Sequence, residues 1–96
     1  MTRTELIEAL AHSHPELKAD TAEVVVHEII EAMSAALEHD ERIELRGFGT
    51  FTIHRRKPGH AHNPKTGELV PVGERRFVHF KPGAPLRARV NNQQGS

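Results

Sequence analysis

The 96-residue sequence contains no cysteine, tryptophan or tyrosine, and four phenylalanines are its only aromatic residues. Because cysteine is missing, disulfides and thiolate metal sites are both excluded. No stretch approaches the roughly 18 consecutive apolar residues that a membrane-spanning helix needs. Glu5 also stands where a signal peptide would continue an apolar run. We therefore expect a soluble, cytoplasmic protein that associates with no membrane.

Apolar residues are also scarce and make up 36% of the chain. Chains of fewer than about 100 residues seldom divide into two cores, so residues 1–96 are expected to form a single domain. Ordering each residue costs about 1–2 kcal/mol of backbone entropy. With so little apolar surface to offset that cost, an isolated monomer would be only marginally stable.

Charge is distributed unevenly although the formal net charge is zero. Residues 1–45 contain three basic and eleven acidic side chains, whereas residues 46–96 contain ten basic and two acidic ones. The first part therefore carries −8 and the second +8, an asymmetry that indicates an anionic partner for the second part. The alternative is that both parts are ordinary solvated surfaces that neutralise each other.

Helical periodicity dominates the first forty residues. Thr2 and Glu5 form a capping box, which predicts a first helix from about Arg3 to His12. A second helix of about 18 residues is predicted from near Asp20. Its broad apolar face consists of Ala22, Val25, Val26, Ile29, Ile30, Met33, Ala36 and Leu37. One short helix and a few strands cannot cover that face, so we expect a second copy of the chain to cover it.

The period changes to two after Arg42, which indicates β-strands. Two antiparallel strands are predicted on either side of a turn at 47–49, with a third strand at 77–80 and a short final helix at 84–90. The expected fold class is α+β, with helices under a three-stranded antiparallel sheet, a protruding two-stranded β-arm and a short C-terminal helix. The predicted body comprises residues 1–54 and 76–91, the arm residues 55–75 and the tail residues 92–96, and fraying is expected from Asn91 onward.

The predicted arm joins two strands of one sheet, where connections usually have 2–5 residues. It is too polar to form a core, but as a hairpin with its tip at 63–67 each leg would project roughly 30 Å, at about 3.3 Å per residue. Basic side chains line the arm and its base: Arg46, Arg55, Arg56, Lys57, Lys65, Arg75, Arg76 and Lys81. This density indicates contact with phosphates and binding that weakens with added salt.

Pro64 at the predicted tip has two interpretations. A proline followed by a glycine three residues later commonly serves only to stiffen a turn. The functional alternative is an apolar wedge that is pushed between base pairs and kinks a duplex. The basic legs favour the wedge.

Three motifs together resemble the HU and integration host factor family of bacterial DNA-bending proteins. They are residues 42–51 (RIELRGFGTF), residues 63–67 (NPKTG) and residues 80–83 (FKPG), followed by Leu86, Arg87 and Asn91. The resemblance covers nearly the whole chain. It is strongest toward the beta-subunit branch of integration host factor, because Glu44 and Arg46 match the positions of that branch's sequence-reading residues.

The resemblance implies an intertwined dimer that lays two β-arms in the minor groove of double-stranded DNA and bends it, in support of nucleoid organisation, recombination, replication and transcription. The second subunit would be either an identical chain or a related alpha-type subunit. By the same resemblance Pro64 intercalates and Arg46 reaches base edges or the groove wall. The expected DNA-binding residues are Arg46, Arg55, Arg56, Lys57, His60, His62, Asn63, Pro64, Lys65, Arg75, Arg76, Lys81 and Arg87.

The arm departs from the family pattern at residues 59–62, where Gly-His-Ala-His replaces Arg-Thr-Gly-Arg and two arginines are lost. His62 takes the place of the arginine beside the intercalating proline. Because an imidazole gains its proton near pH 6 to 7, one hypothesis is that DNA affinity increases from pH 7.5 to pH 6. The alternative is that Arg55, Arg56 and Lys57 already supply the lost charge.

Residues 84 and 85 (Ala-Pro) also differ from the family's more polar pair at the start of the last helix. By the resemblance, one phosphate contact is then missing there.

Other functions have weaker support in the sequence. His60 and His62 form a His-x-His pair, but without a third ligand the signal for a metal site is weak. An enzyme is disfavoured because the sequence has no nucleophile–base constellation and no phosphate-cradling glycine loop, so no cofactor and no small-molecule substrate are expected. Two alternatives stay open: a sequence-independent, HU-type homodimer that packs the nucleoid, and a protein-interaction module with secondary DNA binding.

Overall fold

Three helices and five strands make up the computed structural model, which describes residues 1–92. In chain order they are α1 (Arg3–Ser13), α2 (Ala19–Glu38), β1 (Ile43–Leu45), β2 (Gly49–Arg56), β3 (Gly59–His62), β4 (Leu69–Val72), β5 (Arg75–Pro82) and α3 (Ala84–Asn92). No helix within these residues is both long and apolar enough to cross a membrane. The predicted α+β class and its order of elements are confirmed.

The ends of the two long helices follow from local sequence. The Thr2 hydroxyl accepts a hydrogen bond from the Glu5 backbone N–H at 3.2 Å, and the Glu5 carboxylate accepts one from the Thr2 N–H at 3.3 Å. This is the predicted capping box, and it satisfies two donors that a helix start leaves unpaired. Helix α2 ends where the Glu41 N–H donates to the carbonyl of Ala36 at 2.9 Å.

The body sheet is antiparallel in the order β1-β2-β5. Gly47, at φ +85°, forms the tight turn between β1 and β2. On the face turned toward the helices, the rings of Phe51 and Phe80 lie 4.6 Å apart and those of Phe48 and Phe80 lie 5.5 Å apart. These aromatic contacts join the turn and the two long strands into one apolar layer.

Strands β2 and β5 are both longer than the sequence predicts. Their ladder continues past the expected body boundary as far as the pair of Arg56 with Arg75. At the other end it includes Pro82, two residues beyond the predicted end of the third strand at residue 80. Because β5 is an edge strand of the body sheet, a proline there leaves no ladder bond unmade.

The arm is a second, separate sheet formed by β3 and β4. Within the described residues, these strands pack extensively only against each other. The chain measures 55 × 37 × 29 Å with a radius of gyration of 18.7 Å, whereas a compact domain of this length has a radius of about 12 Å. The prediction that this segment protrudes as a two-stranded ribbon is confirmed.

The single chain has almost no interior of its own. Among the described residues, only Ala22 and Val26 on α2 are buried hydrophobics. Ile29, on the same helix, is 54% exposed, and Val78 on β5 is 60% exposed. The apolar faces of the helices and the sheet are therefore largely uncovered in one chain.

Helix α3 continues to Asn92, two residues beyond the predicted end at Val90. Asn91 and Asn92, expected to be part of a frayed tail, are thus helical. The helical hydrogen bonding continues through these two residues because neither is a glycine or a proline, which would disfavour the helix. The rest of the expected tail, 93–96, lies outside the described residues.

Candidate nucleic-acid interface

The tip of the arm is a compact, internally bonded loop. The Asn63 side-chain oxygen accepts from the Lys65 N–H at 2.9 Å, and the Asn63 carbonyl accepts from the Gly67 N–H at 2.7 Å. Gly67 has φ +74°, a conformation that favours glycine. These bonds leave the ring of Pro64 exposed at the extremity of the loop.

The legs of the arm present one face of imidazoles. His60 and His62 lie opposite Pro71 and Leu69, respectively, and because strand side chains alternate they share one face of the ribbon. Both imidazoles are exposed, and so is Lys57, nearer the base of the arm. Among residues 1–92, no group of three or more metal-ligating side chains converges anywhere.

Four arginines at the base of the arm are divided between two faces. In the β2–β5 register Arg55 pairs with Arg76, and Arg56 pairs with Arg75. Because neighbouring residues on a strand point to opposite sides, the first pair faces α2 and the second pair faces away from it. The sequence predicts all four as DNA contacts, but the structure places them in two different environments.

On the outer face, Arg56 and Arg75 flank the ring of Phe77. Their guanidinium carbons lie 5.3 Å and 5.9 Å from its centroid, within the range of a cation–π contact. The Arg75 Nε is buried and has no hydrogen-bond partner within the described residues. The His54 and His79 rings stack beside this group at a centroid distance of 4.4 Å.

On the inner face, Arg55 and Arg76 are held by acidic groups. Arg55 forms ion pairs with Asp40 and Glu74, and Arg76 pairs with Asp40 at 2.9 Å. The Arg55 guanidinium, followed by that of Arg76, lowers the pKa of the Asp40 carboxyl below its ordinary value. Glu74 and then Asp40 raise the pKa of Arg55.

The remaining predicted residues lie at the end of the body nearest the β1–β2 turn. Arg46 lines an open cleft of about 500 Å³ together with Glu44 and Gly83. Lys81 and Arg87 line a neighbouring cleft of about 430 Å³. The two clefts adjoin, since Thr50 and Gly83 line both. The Gly83 N–H donates to the Phe48 carbonyl at 2.8 Å and so ties the start of α3 to the turn.

Sequence reasoning missed Asp40, Glu74, Phe77 and the stacked His54 and His79. The sequence predicts no role for Glu74 or Asp40 beyond their place in the charge totals of the two parts of the chain. A correct strand register would have indicated the group on the outer face, because a ladder that pairs His54 with Phe77 also pairs the arginines. No local pattern in the sequence indicates a role for Asp40, because it is the chain path from α2 to β1 that brings this residue near the base of the arm.

Comparison with known proteins identifies close relatives of this architecture. A family model described as "Bacterial DNA-binding protein" matches residues 1–91. The chain is 52% identical to the integration host factor subunit beta of Methylococcus capsulatus, over 96% of this chain and 97% of that protein. It is 50% identical to the integration host factor subunit beta of Tolumonas auensis, over 96% and 99% of the two chains.

A solved structure shares the fold across nearly the whole chain. The cocrystal structure of Anabaena HU with DNA superposes with a TM-score of 0.82 at 29% sequence identity, covering 94% of this chain and 97% of that one.

Proposed function

Because this chain belongs to the HU and integration host factor family of bacterial DNA-binding proteins, we propose that it bends double-stranded DNA by gripping the minor groove with its arm and intercalating Pro64. The protein acts as an architectural element and has no catalytic role. A minor-groove wedge costs a few kcal/mol of base unstacking, which is offset by contacts that the bent duplex makes along its flanks.

One observation carries the proposal: an exposed proline ends a projecting ribbon whose legs and base are basic. Pro64 is held at the extremity by the hydrogen bonds of Asn63, so it enters a duplex without the entropic cost of ordering the loop. Lys57 and Lys65 are exposed along the ribbon. The proline supplies the wedge and the cations neutralise the phosphates that the wedge brings close.

The other proposed contacts extend the track from the arm to the body. Arg56 and Arg75 flank the base of the arm on its outer face, and Arg46 stands beside the turn where it reaches base edges or the groove wall. Further phosphate or groove contacts come from His60, His62, Asn63, Arg55, Arg76, Lys81 and Arg87. The proposed contacts extend from the tip of the arm to the start of α3.

The functional unit is proposed to be a dimer. With only Ala22 and Val26 buried and Ile29 and Val78 exposed, a single chain leaves its apolar faces in water at a cost of about 25 cal/mol per Å². A second chain of the same fold covers both faces. The name "subunit beta" of the two relatives favours a related alpha-type chain over an identical one as the partner.

Architectural bending of this kind serves nucleoid organisation, recombination, replication and transcription.

The domain boundaries proposed are a body of residues 1–54 and 76–91 and an arm of residues 55–75, although the β2–β5 ladder runs continuously across both junctions.

The test combines gel shift with bending of short duplexes that carry a fluorophore at each end. Wild type is expected to bind and to shorten the end-to-end distance, with affinity falling by about 10³–10⁵ between 50 and 200 mM salt if six to ten phosphates are contacted. Pro64→Ala is expected to keep most of the affinity and lose much of the bend. Pro71→Ala, in the leg of the same arm, serves as the matched control and should bend normally.

An unchanged bend in Pro64→Ala would refute intercalation by that residue. Failure of wild type to bind any duplex at low ionic strength would refute the function itself.

A further inference from the structure

An ion cluster at the base of the arm connects the end of α2 with both legs. The Asp40 carboxylate accepts from Arg55 through one oxygen and from Arg76 through the other, the latter at 2.9 Å. The Glu74 carboxylate accepts from the second nitrogen of Arg55. Arg76 also donates to the backbone carbonyl of Glu38 at 2.7 Å. Two of the four arginines at the base are therefore already occupied within the protein.

The backbone at Asp40 is unusual. Among residues 1–92, Asp40 is the only residue other than glycine with a positive φ, at 62°. It occupies the first position after the cap of α2, where its N–H donates to the Leu37 carbonyl at 3.0 Å and the next N–H donates to that of Ala36. Glycine is the usual residue at this position of a Schellman motif, because a Cβ is disfavoured there. Aspartate is less favourable than glycine in this backbone conformation, but its carboxylate contacts both arginines.

We infer that Asp40 competes with DNA phosphate for Arg55 and Arg76 and thereby sets the affinity and the salt dependence of DNA binding. The inference rests on the proposed function. A carboxylate and a phosphate oxygen are similar acceptors for a guanidinium, so a phosphate that takes the donors now bonded to Asp40 must displace that carboxylate. Arg56 and Arg75, on the opposite face, have no such competitor among the described residues.

Two consequences distinguish a competitor from a simple structural brace. Removing the carboxylate raises DNA affinity, because Arg76 then has no carboxylate partner among the described residues and Arg55 keeps only Glu74. It also steepens the loss of affinity with salt, because that slope grows with the number of phosphates neutralised by the protein. A brace that positions the arm would act in the opposite direction, since loosening the base lowers affinity.

The experiment measures duplex binding across a salt series for wild type, Asp40→Asn, Asp40→Gly and Glu41→Gln. Asparagine and glycine both accept a positive φ, so both variants keep the backbone while losing the carboxylate. Glu41→Gln removes the same charge from the adjacent residue, for which the described contacts include no ion pair. Both Asp40 variants are expected to bind about tenfold more tightly and with a steeper salt slope, and Glu41→Gln to change both by much less.

Equal affinity and slope in wild type and both Asp40 variants, or weaker binding by the variants, would overturn the inference and leave the proposed function standing. Equal gains in Glu41→Gln and Asp40→Asn would also overturn it, because general charge would then explain the effect. Retention on heparin separates the two proposals. If no chain binds DNA but the Asp40 variants elute from this polyanion at higher salt than Glu41→Gln, the competitor is retained and the DNA function fails, whereas equal elution overturns the competitor as well.

Discussion

A Cβ atom placed on Gly49 would lie 2.6 Å from the ring of Phe80 and 2.6 Å from the carbonyl oxygen of Lys81. The first residue of β2 thus meets β5 at a separation that only glycine allows. Gly49→Ala is expected to lower the free energy of unfolding by about 1–3 kcal/mol, because the strands must move apart or the ring must leave its place. Urea unfolding measures the change.

The matched control is Gly73→Ala, since a Cβ there meets nothing within 4 Å. Its effect on the free energy of unfolding should stay within about 0.5 kcal/mol. A loss at Gly73 equal to that at Gly49 would contradict the packing argument.

The ion cluster at Asp40 predicts a pH dependence of stability. Because Arg55 lowers the pKa of this carboxyl from its ordinary value of 3.8, the native state binds its proton less readily than the unfolded chain. The resulting stabilisation is fully present above that ordinary value and is lost as the pH falls through the lower, native one. Wild type is therefore expected to exceed Asp40→Asn in stability at pH 6, with the difference vanishing in strong acid.

Urea unfolding of the two proteins at several pH values measures this difference. Glu41→Gln should follow the wild-type curve. A difference between wild type and Asp40→Asn that persists unchanged at the lowest pH would show that the ion pairs contribute nothing.

The exposed imidazoles on the arm predict pH-dependent DNA binding. His60 and His62 share one face of the ribbon, and any positive charge gained by an imidazole there strengthens contact with phosphates. Affinity for duplex DNA is expected to rise measurably from pH 7.5 to pH 6 and to rise less in a His60→Ala, His62→Ala double variant. Fluorescence anisotropy at fixed salt measures both profiles.

His14→Ala, on the acidic N-terminal half, is the control and should retain the wild-type profile. If the double variant keeps the full pH slope, the hypothesis is wrong. If wild type itself shows no slope, Arg55, Arg56 and Lys57 already supply the charge and the histidines serve only as hydrogen-bond donors.

Sequence preference is predicted to depend on Arg46. This side chain stands at the β1–β2 turn, next to Glu44, whose carboxylate pairs with Arg42 at 3.2 Å. If Arg46 reads base edges, Arg46→Ala should reduce the free-energy difference between specific and random-DNA binding, which the ratio of the two affinities reports, by about 1–3 kcal/mol. Competition against random duplex measures that ratio, with Arg89→Ala on α3 as the control.

A wild-type protein with no preference for any site would instead indicate sequence-independent packing of the HU kind, with Arg46 as one more phosphate contact.

Dimerisation is predicted from the uncovered apolar faces. Wild type should sediment as a dimer at micromolar concentration, whereas Ile29→Glu should dissociate or unfold because a charge replaces an apolar contact in the interface. Glu28→Ala, on the polar side of the same helix, should remain dimeric. A stable, folded wild-type monomer would remove the proposed dimer.

Much of the architecture follows from short-range signals that the sequence displays directly. The capping box of Thr2 and Glu5 places the start of α1, the apolar period of three to four places α2, and the change to period two after Arg42 places the body strands. Residues 55–75 are too polar to pack, so they must project, and the Asn-Pro-x-x-Gly signal at 63–67 must form the tip. These features are local, because each depends on residues a few positions apart.

The contacts of the four arginines at the base of the arm depend on residues that are distant in the sequence. Whether β2 stops at the expected body boundary or continues to Arg56 depends on the partner that β5 provides. The resulting register places Arg55 and Arg76 on the inner face. It places Arg56 and Arg75 on the outer face. The pairing of Asp40 with Arg55 across 15 positions is likewise a product of chain path. The sequence alone determined that this protein has a basic, proline-tipped arm, whereas the tertiary structure decided which of its cations stand free, because strand register and helix ends bring distant charges together.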